Sequence, residues 1–320
     1  MELDSCASLE TIRKRALILE KIRFFFQQRH VLEVETPSLS FSPSLDLHID
    51  PFNLSIGDKK DPAYLVTSPE FHMKRLLSQG IGSIYQICKA FRSNEIGIQH
   101  NPEFSIVEWY RVGWDHWQLI EEVEIFFDEV LNCGKADRVS YQEIFKRFFD
   151  FNPLQINHET FLQICAANNL VPPDALQDTQ TDRDSWLHYL MGVYIEPKLK
   201  EEGPVVIHGF PLSQSILSEK KTNNSALSTR FEYYFQGMEL ANGCSELRSG
   251  KEQKIRFEQV NLLRKKENKN QLKIDQRLIK ALDTGIPKCA GVAVGLDRLI
   301  MIALGKSKIS EVLSFSWDVC

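Results

Sequence analysis

Between residues 91 and 104 the chain reads Phe91-Arg92-Ser93-Asn94-Glu95-Ile96-Gly97-Ile98-Gln99-His100-Asn101-Pro102-Glu103-Phe104. On either side the sequence turns to Ile, Val, Tyr, Phe and Trp, so 83–91 and 103–111 each read as a strand. About eleven residues join them, where an ordinary hairpin uses about two to five. Neighbouring strands joined this way pair antiparallel, and a connection of such length is commonly functional. The stretch therefore points to a sheet of antiparallel neighbours with a polar loop at the strand ends.

Working outward, residues 11–30 place Ile12, Ala16, Leu19, Ile22 and Phe26 on one helical stripe. Residues 31–35 alternate as a strand and stop at Thr36-Pro37, because proline cannot donate to a ladder. A strand at 64–67 leads into Ser68-Pro69-Glu70, read as a cap, a first helical position and a first-turn acid, with the helix running to 77. Asp115 caps a helix to 131. Residues 138–203 read as helical and loop-like, with an exposed polar excursion over 172–184 and no visible chemistry. Strands resume at 205–207 and 231–240, the latter running into Ala241-Asn242-Gly243. Helices at 252–267 and 275–284 precede a last strand, 291–295, which passes into a helix at Asp297-Arg298. The expected class is α+β, a mainly antiparallel sheet flanked by helices.

Composition narrows the function. With 320 residues, 43% hydrophobic and 25% charged, the chain is neither disordered, collagen-like nor a disulfide scaffold. Asp297 and Arg298 interrupt the longest apolar run, 290–304, so no membrane helix is expected. Residues 1–9 are mildly acidic and show no secretory leader. Seven scattered cysteines with no Cys-x-x-Cys pair fit reduced thiols in a cytoplasm and no zinc site. Thirty-eight basic against 43 acidic residues give a net charge of −5, which argues against tight nucleic-acid binding. The basic run 264–273 reads as a solvated helix face.

Four polar constellations carry possible chemistry, each with a bland alternative. Arg92, at a strand end facing the long loop with His100 and Asn101, suits a phosphate or carboxylate, or else belongs to surface ion pairs. Glu239 and Glu246 flank an expected Asn242-Gly243 turn and converge on a Mg²⁺, or are solvated acids. The run Gly291-Val292-Ala293-Val294-Gly295-Leu296-Asp297-Arg298 lets a flat group lie near the backbone with Arg298 reaching polyphosphate, or is close helix–strand packing. Glu70 recognises a substrate ammonium, or simply favours a helix N-terminus.

In combination and order these segments resemble the catalytic core of class II aminoacyl-tRNA synthetases, in the lysine branch. The helix ending in Val34-Glu35-Thr36-Pro37 resembles motif 1, the dimer-interface element; Phe91-Arg92 through Pro102-Glu103-Phe104 resembles motif 2; Gly291 to Arg298 resembles motif 3. Thr67-Ser68-Pro69-Glu70, Met73-Lys74-Arg75-Leu76 and Glu239-Leu240-Ala241-Asn242-Gly243 match the lysyl enzymes' own segments. Motif 1 begins near residue 11, which leaves no room for the N-terminal OB-fold anticodon-binding domain, so a single catalytic domain over 1–320 is expected. An acidic lysyl core of this kind resembles the elongation factor P lysyl-ligase family, as does the ending Val312-Leu313-Ser314-Phe315-Ser316.

That resemblance implies ATP-dependent activation of (R)-β-lysine or lysine as an adenylate, with Mg²⁺, and transfer to a lysine of elongation factor P in place of tRNA. It further implies a cytoplasmic homodimer with no membrane partner. Arg92 would contact the α-phosphate and substrate carboxylate, and Arg298 the triphosphate tail. Asn94, His100, Asn101, Glu239, Leu240 and Gly295 would line the nucleotide site. Ser68, Glu70, Tyr110, Glu246 and Ala293 would surround the amino acid, with Glu239 and Glu246 holding Mg²⁺. Two positions depart from the pattern. Asn94 stands where motif 2 carries glutamate, with Glu95 one residue on, and Ala293 stands where lysyl-tRNA synthetases have glycine. The added methyl is expected to favour β-lysine. The rival expectations are a truncated lysyl-tRNA synthetase that charges tRNA and a catalytically silent regulatory paralogue.

Overall fold

Alternation along the strand Glu103–Val112 divides the sheet into two chemically different faces. In the computed structural model, which describes residues 6–58, 62–178 and 182–320, the chain forms two units: 1–132 with 243–320, and 133–242. Part of the leader reading over 1–9 and part of the excursion over 172–184 lie outside the described residues.

In the first unit the strands run in the order Leu32–Glu33, Ile84–Phe91, Glu103–Val112, Cys289–Gly295. The first pairing is parallel and the other two antiparallel. The expected strand over 31–35 is only two residues long. Ser105, Val107, Trp109 and Arg111 point to one face, where Trp109 is fully buried. There the helices Leu9–Gln28 and His116–Leu131 close the core. Phe26 stacks on Tyr85 at 4.2 Å and meets the Trp109 ring edge-on at 5.2 Å, and Trp109 lies 5.3 Å from Phe126. Trp109 also donates its indole N–H to Glu122 at 3.0 Å, as a buried indole must to some acceptor. Asp115 caps the second helix with a complete capping box, as expected.

The first helix is rotated from the expected stripe. Ile22 and Phe26 are buried, but Ala16 is exposed, and Thr11 and Phe25 take the remaining buried positions. The cause is Arg15, whose guanidinium reaches inward to Asp297 at 2.7 Å and to Ser105 at 3.0 Å. A paired charge thereby occupies part of the face that periodicity assigns to carbon.

The second unit has its own core, including Phe145, Phe161, Trp186, Leu190, Ile195 and Ile207. Segment 138–203 supplies most of it, through helices Tyr141–Phe149, His158–Ala167 and Arg183–Leu190. The strand Val205–His208 pairs parallel with Asp137–Ser140 and antiparallel with Phe231–Phe235. The turn expected at Asn242-Gly243 is absent: both residues lie within the strand Met238–Ser245. The chain turns earlier, at Gln236-Gly237, where both φ angles are positive at 53° and 73°. A two-residue hairpin of that type needs two positive φ values, and Gln-Gly supplies them here, so the expected single strand over 231–240 is two. The fold is α+β, a mostly antiparallel sheet flanked by helices.

Candidate active site

Glu108 and Tyr110 point to the face of the first unit opposite Trp109, and Gly291 and Ala293 are their cross-strand partners. Glu108 is 3% exposed and sits across from Ala293 on one side and Gln86 on the other. Tyr110 donates to Glu108 Oε1 at 2.6 Å, and Ser68 Oγ donates to Oε2 at 2.9 Å. Ser68 Oγ also accepts from the Glu70 N–H at 3.0 Å. The helix begins at Glu70, one residue later than expected, with Pro69 as its cap.

One turn on, Lys74 faces back toward Glu70 at 2.6 Å, the reach of an i,i+4 pair. Its ammonium also contacts Glu246 at 2.5 Å, and Lys74 and Glu246 are 1% and 3% exposed. Glycine at 291 makes this convergence possible. A Cβ there would stand 2.3 Å from the Tyr110 ring and 2.6 Å from Glu246 Oε1.

Burial beside another acid raises the proton affinity of Glu108 and Glu246. Burial, with Glu70 and Glu246 adding like charge, pushes Glu108 up to about 8. Burial likewise raises Glu246 to about 7, and Lys74 pulls against that shift while Glu70 adds to it. Burial alone would lower Lys74, but Glu246 and Glu70 outweigh it and hold the ammonium above its ordinary range. Such a buried acidic pocket suits a cationic group.

At the other end of the same strand pair lies the arginine loop. Arg92 pairs with Glu95 at 2.9 Å, lies over the Phe104 ring at 5.0 Å, and keeps a buried Nε with no hydrogen bond. Arg298, on the helix Leu296–Ala303, meets His100 Nε2. Burial and then the Arg298 charge lower the His100 pKa, so its neutral ring accepts from the guanidinium. Gly295 caps that helix, and a Cβ there would meet the Arg298 side chain at 4.0 Å. The structure therefore gathers Arg92, Glu95, His100 and Arg298 in one cationic region.

Other expected residues are placed differently. Exposed Asn94 donates to Asp50 at 2.9 Å, and Asp50 in turn holds Arg264 at 2.7 Å. Glu95 is the acid beside Arg92. Asn101 donates to the Glu103 carbonyl and accepts from the Trp317 N–H, which ties the loop to the C-terminal segment. Glu239 and Leu240 belong to the second unit, where Glu239 lies in the field of Arg230. Among the described residues no three His, Cys, Asp or Glu side chains form a cation cage. Glu108 was not anticipated, and Lys74 was noted without a role. The available signals were an acid breaking an apolar strand two residues before a tyrosine, and a Glu/Lys pair at i,i+4.

Comparison with known proteins gives the family. Residues 1–318 match the family described as tRNA synthetases class II (D, K and N). The chain is 44% identical over 313 residues to an elongation factor P–(R)-β-lysine ligase of Yersinia enterocolitica, covering 97% of this chain and 95% of that protein. It is 42% identical over 316 residues to the ligase of the same name from Salmonella dublin, covering 98% and 96%. The chain belongs to the class II tRNA synthetase family.

Proposed function

We propose that this member of the class II synthetase family activates (R)-β-lysine, or lysine, with ATP and joins it to a lysine side chain of elongation factor P. The observation that carries this reading is the convergence of buried Glu108 and Glu246 with half-buried Glu70 beside Tyr110 and Gly291, with the Arg92 and Arg298 region in the same unit. The two ligases that match nearly end to end support the choice of acceptor.

In this reading the ammonium groups sit against the acids while the substrate carboxylate lies at Arg92. The carboxylate oxygen attacks the α-phosphorus, the bond to pyrophosphate breaks, and the two arginines steady the negative charge that develops. No covalent enzyme intermediate forms. The neutral amine of the acceptor lysine then attacks the acyl carbon, an amide forms, and AMP leaves with the bonding electrons. His100, kept neutral, holds Arg298 without adding charge repulsion. A Mg²⁺ bound mainly through the substrate's phosphates would neutralise phosphate charge. The reaction belongs to a cytoplasmic homodimer formed by one catalytic domain. In support of the dimer, the helix Leu9–Gln28 leaves Leu9, Leu17 and Phe24 more than half exposed along one side.

The test is the intact mass of purified elongation factor P after incubation with the protein, ATP, Mg²⁺ and either (R)-β-lysine or lysine. An enzyme-dependent gain of one lysyl residue is expected. Charging of tRNA without such a gain would favour the truncated-synthetase reading, and no ATP–pyrophosphate exchange at all would favour a silent paralogue.

A further inference from the structure

Lys74 takes no part in the steps above, yet its ammonium is one of the most deeply buried charges in the first unit. Lysine is almost never this buried unless paired. Its surroundings are Glu70 on its own helix, and Glu246 and Cys244 on the strand segment that faces it. Glu108, held by Ser68 and Tyr110, completes the acidic cluster. Glu108 and Glu246 are 3% exposed and Glu70 is half-buried, and a carboxylate taken out of water without a cationic partner is costly. With one permanent ammonium against three carboxylates, the ionised pocket carries two net negative charges. A diamino acid brings two ammonium groups, and its carboxylate belongs to Arg92.

We propose that Lys74 is a positioning residue and built-in counterion: by tying Glu70 to Glu246 it sets the pocket's charge to match a substrate with two ammonium groups. The inference rests on the functional reading above and deepens it. An amino acid with one ammonium leaves a buried acid without a partner, so the counterion acts in specificity as well as in affinity.

The test compares the wild type with Lys74→Ala and Lys74→Met in ATP–pyrophosphate exchange, after melting curves establish folding. The KM for the diamino acid is expected to rise at least ~30-fold in both variants with kcat within about threefold, because binding and not chemistry is lost. Propylammonium restores Lys74→Ala about tenfold by refilling the vacated space with charge. It leaves Lys74→Met unchanged, and propanol restores neither. An unchanged KM, a loss confined to kcat, or equal recovery with propanol overturns the proposal. Should both variants fail to fold, competitive inhibition of the wild type decides. Diaminopentane is then expected to inhibit at least ~10-fold more tightly than pentylamine, and equal inhibition rejects the charge match. Absence of exchange in the wild type with either diamino acid defeats the functional reading itself and this inference with it. Normal wild-type exchange with indifferent Lys74 variants defeats the counterion alone.

Discussion

The acidic pocket and the arginine loop lie on one strand pair but are built by opposite strategies. In the pocket, Glu108, Lys74 and Glu246 are nearly inaccessible to water, and the Lys74–Glu246, Tyr110–Glu108 and Ser68–Glu108 contacts lie between 2.5 and 2.9 Å. In the loop, Arg92 and Glu95 are each close to one-third exposed. A buried charge that loses its partner is strongly destabilising, whereas exposed pairs exchange partners at little cost. The pocket is therefore preorganised before substrate arrives, and the loop holds its cations on partners that a phosphate readily displaces.

The largest expected effect comes from breaking the loop side. Arg92→Ala is expected to lower pyrophosphate exchange by about 10²–10³, since it removes a charge that acts on the developing oxyanion. Near-normal exchange in this variant would remove Arg92 from the site. On the pocket side, Gly291→Ala places a methyl against the Tyr110 ring and Glu246, so the strand or both side chains must shift. Overpacking of this kind costs about 1–3 kcal/mol, and the amino-acid KM is expected to rise about tenfold or more while the KM for ATP changes little. A uniform change in both constants would show that the two regions are not separable.

Glu108 sharpens the contrast through pH. Its carboxyl, raised to about 8 by burial and its acidic neighbours, is protonated at neutral pH until an ammonium favours the charged form. The amino-acid KM is therefore expected to fall as pH rises toward 8, by up to about tenfold, and this dependence should flatten in Glu108→Gln. Stability runs the other way. An acid raised on folding contributes stability that is complete below the unfolded value of 4.5 and lost as pH rises through about 8. Melting curves from acid to alkaline pH should show a smaller decline in the Gln variant than in the wild type. The smallest effect concerns shape. Ala293 sits across from Glu108, and Ala293→Gly should move the preference between β-lysine and lysine toward lysine by about 1–3 kcal/mol at most. An unchanged ratio in competition assays would show that the methyl does not border the substrate.

Much of this molecule was determined by the sequence alone. The strand–loop–strand unit around Arg92, the last strand passing into the Arg298 helix, the Asp115 cap and the α+β class all follow from periodicity, caps and breakers, which act over a few residues. The order of the motifs was enough to identify the family. Local signals misled where two choices were equally favourable nearby: Asn242-Gly243 has turn chemistry, yet the turn falls on Gln236-Gly237 because strand register decides which pair must take positive φ. The helix stripe was misread where Arg15 turned inward to a partner 282 residues away, Asp297. The pocket itself belongs to the tertiary structure. Glu70, Lys74, Glu108, Glu246 and Gly291 come from a helix and separate strand segments. Lys74, Glu108 and Glu246 acquire perturbed proton affinities only when register and burial bring them together.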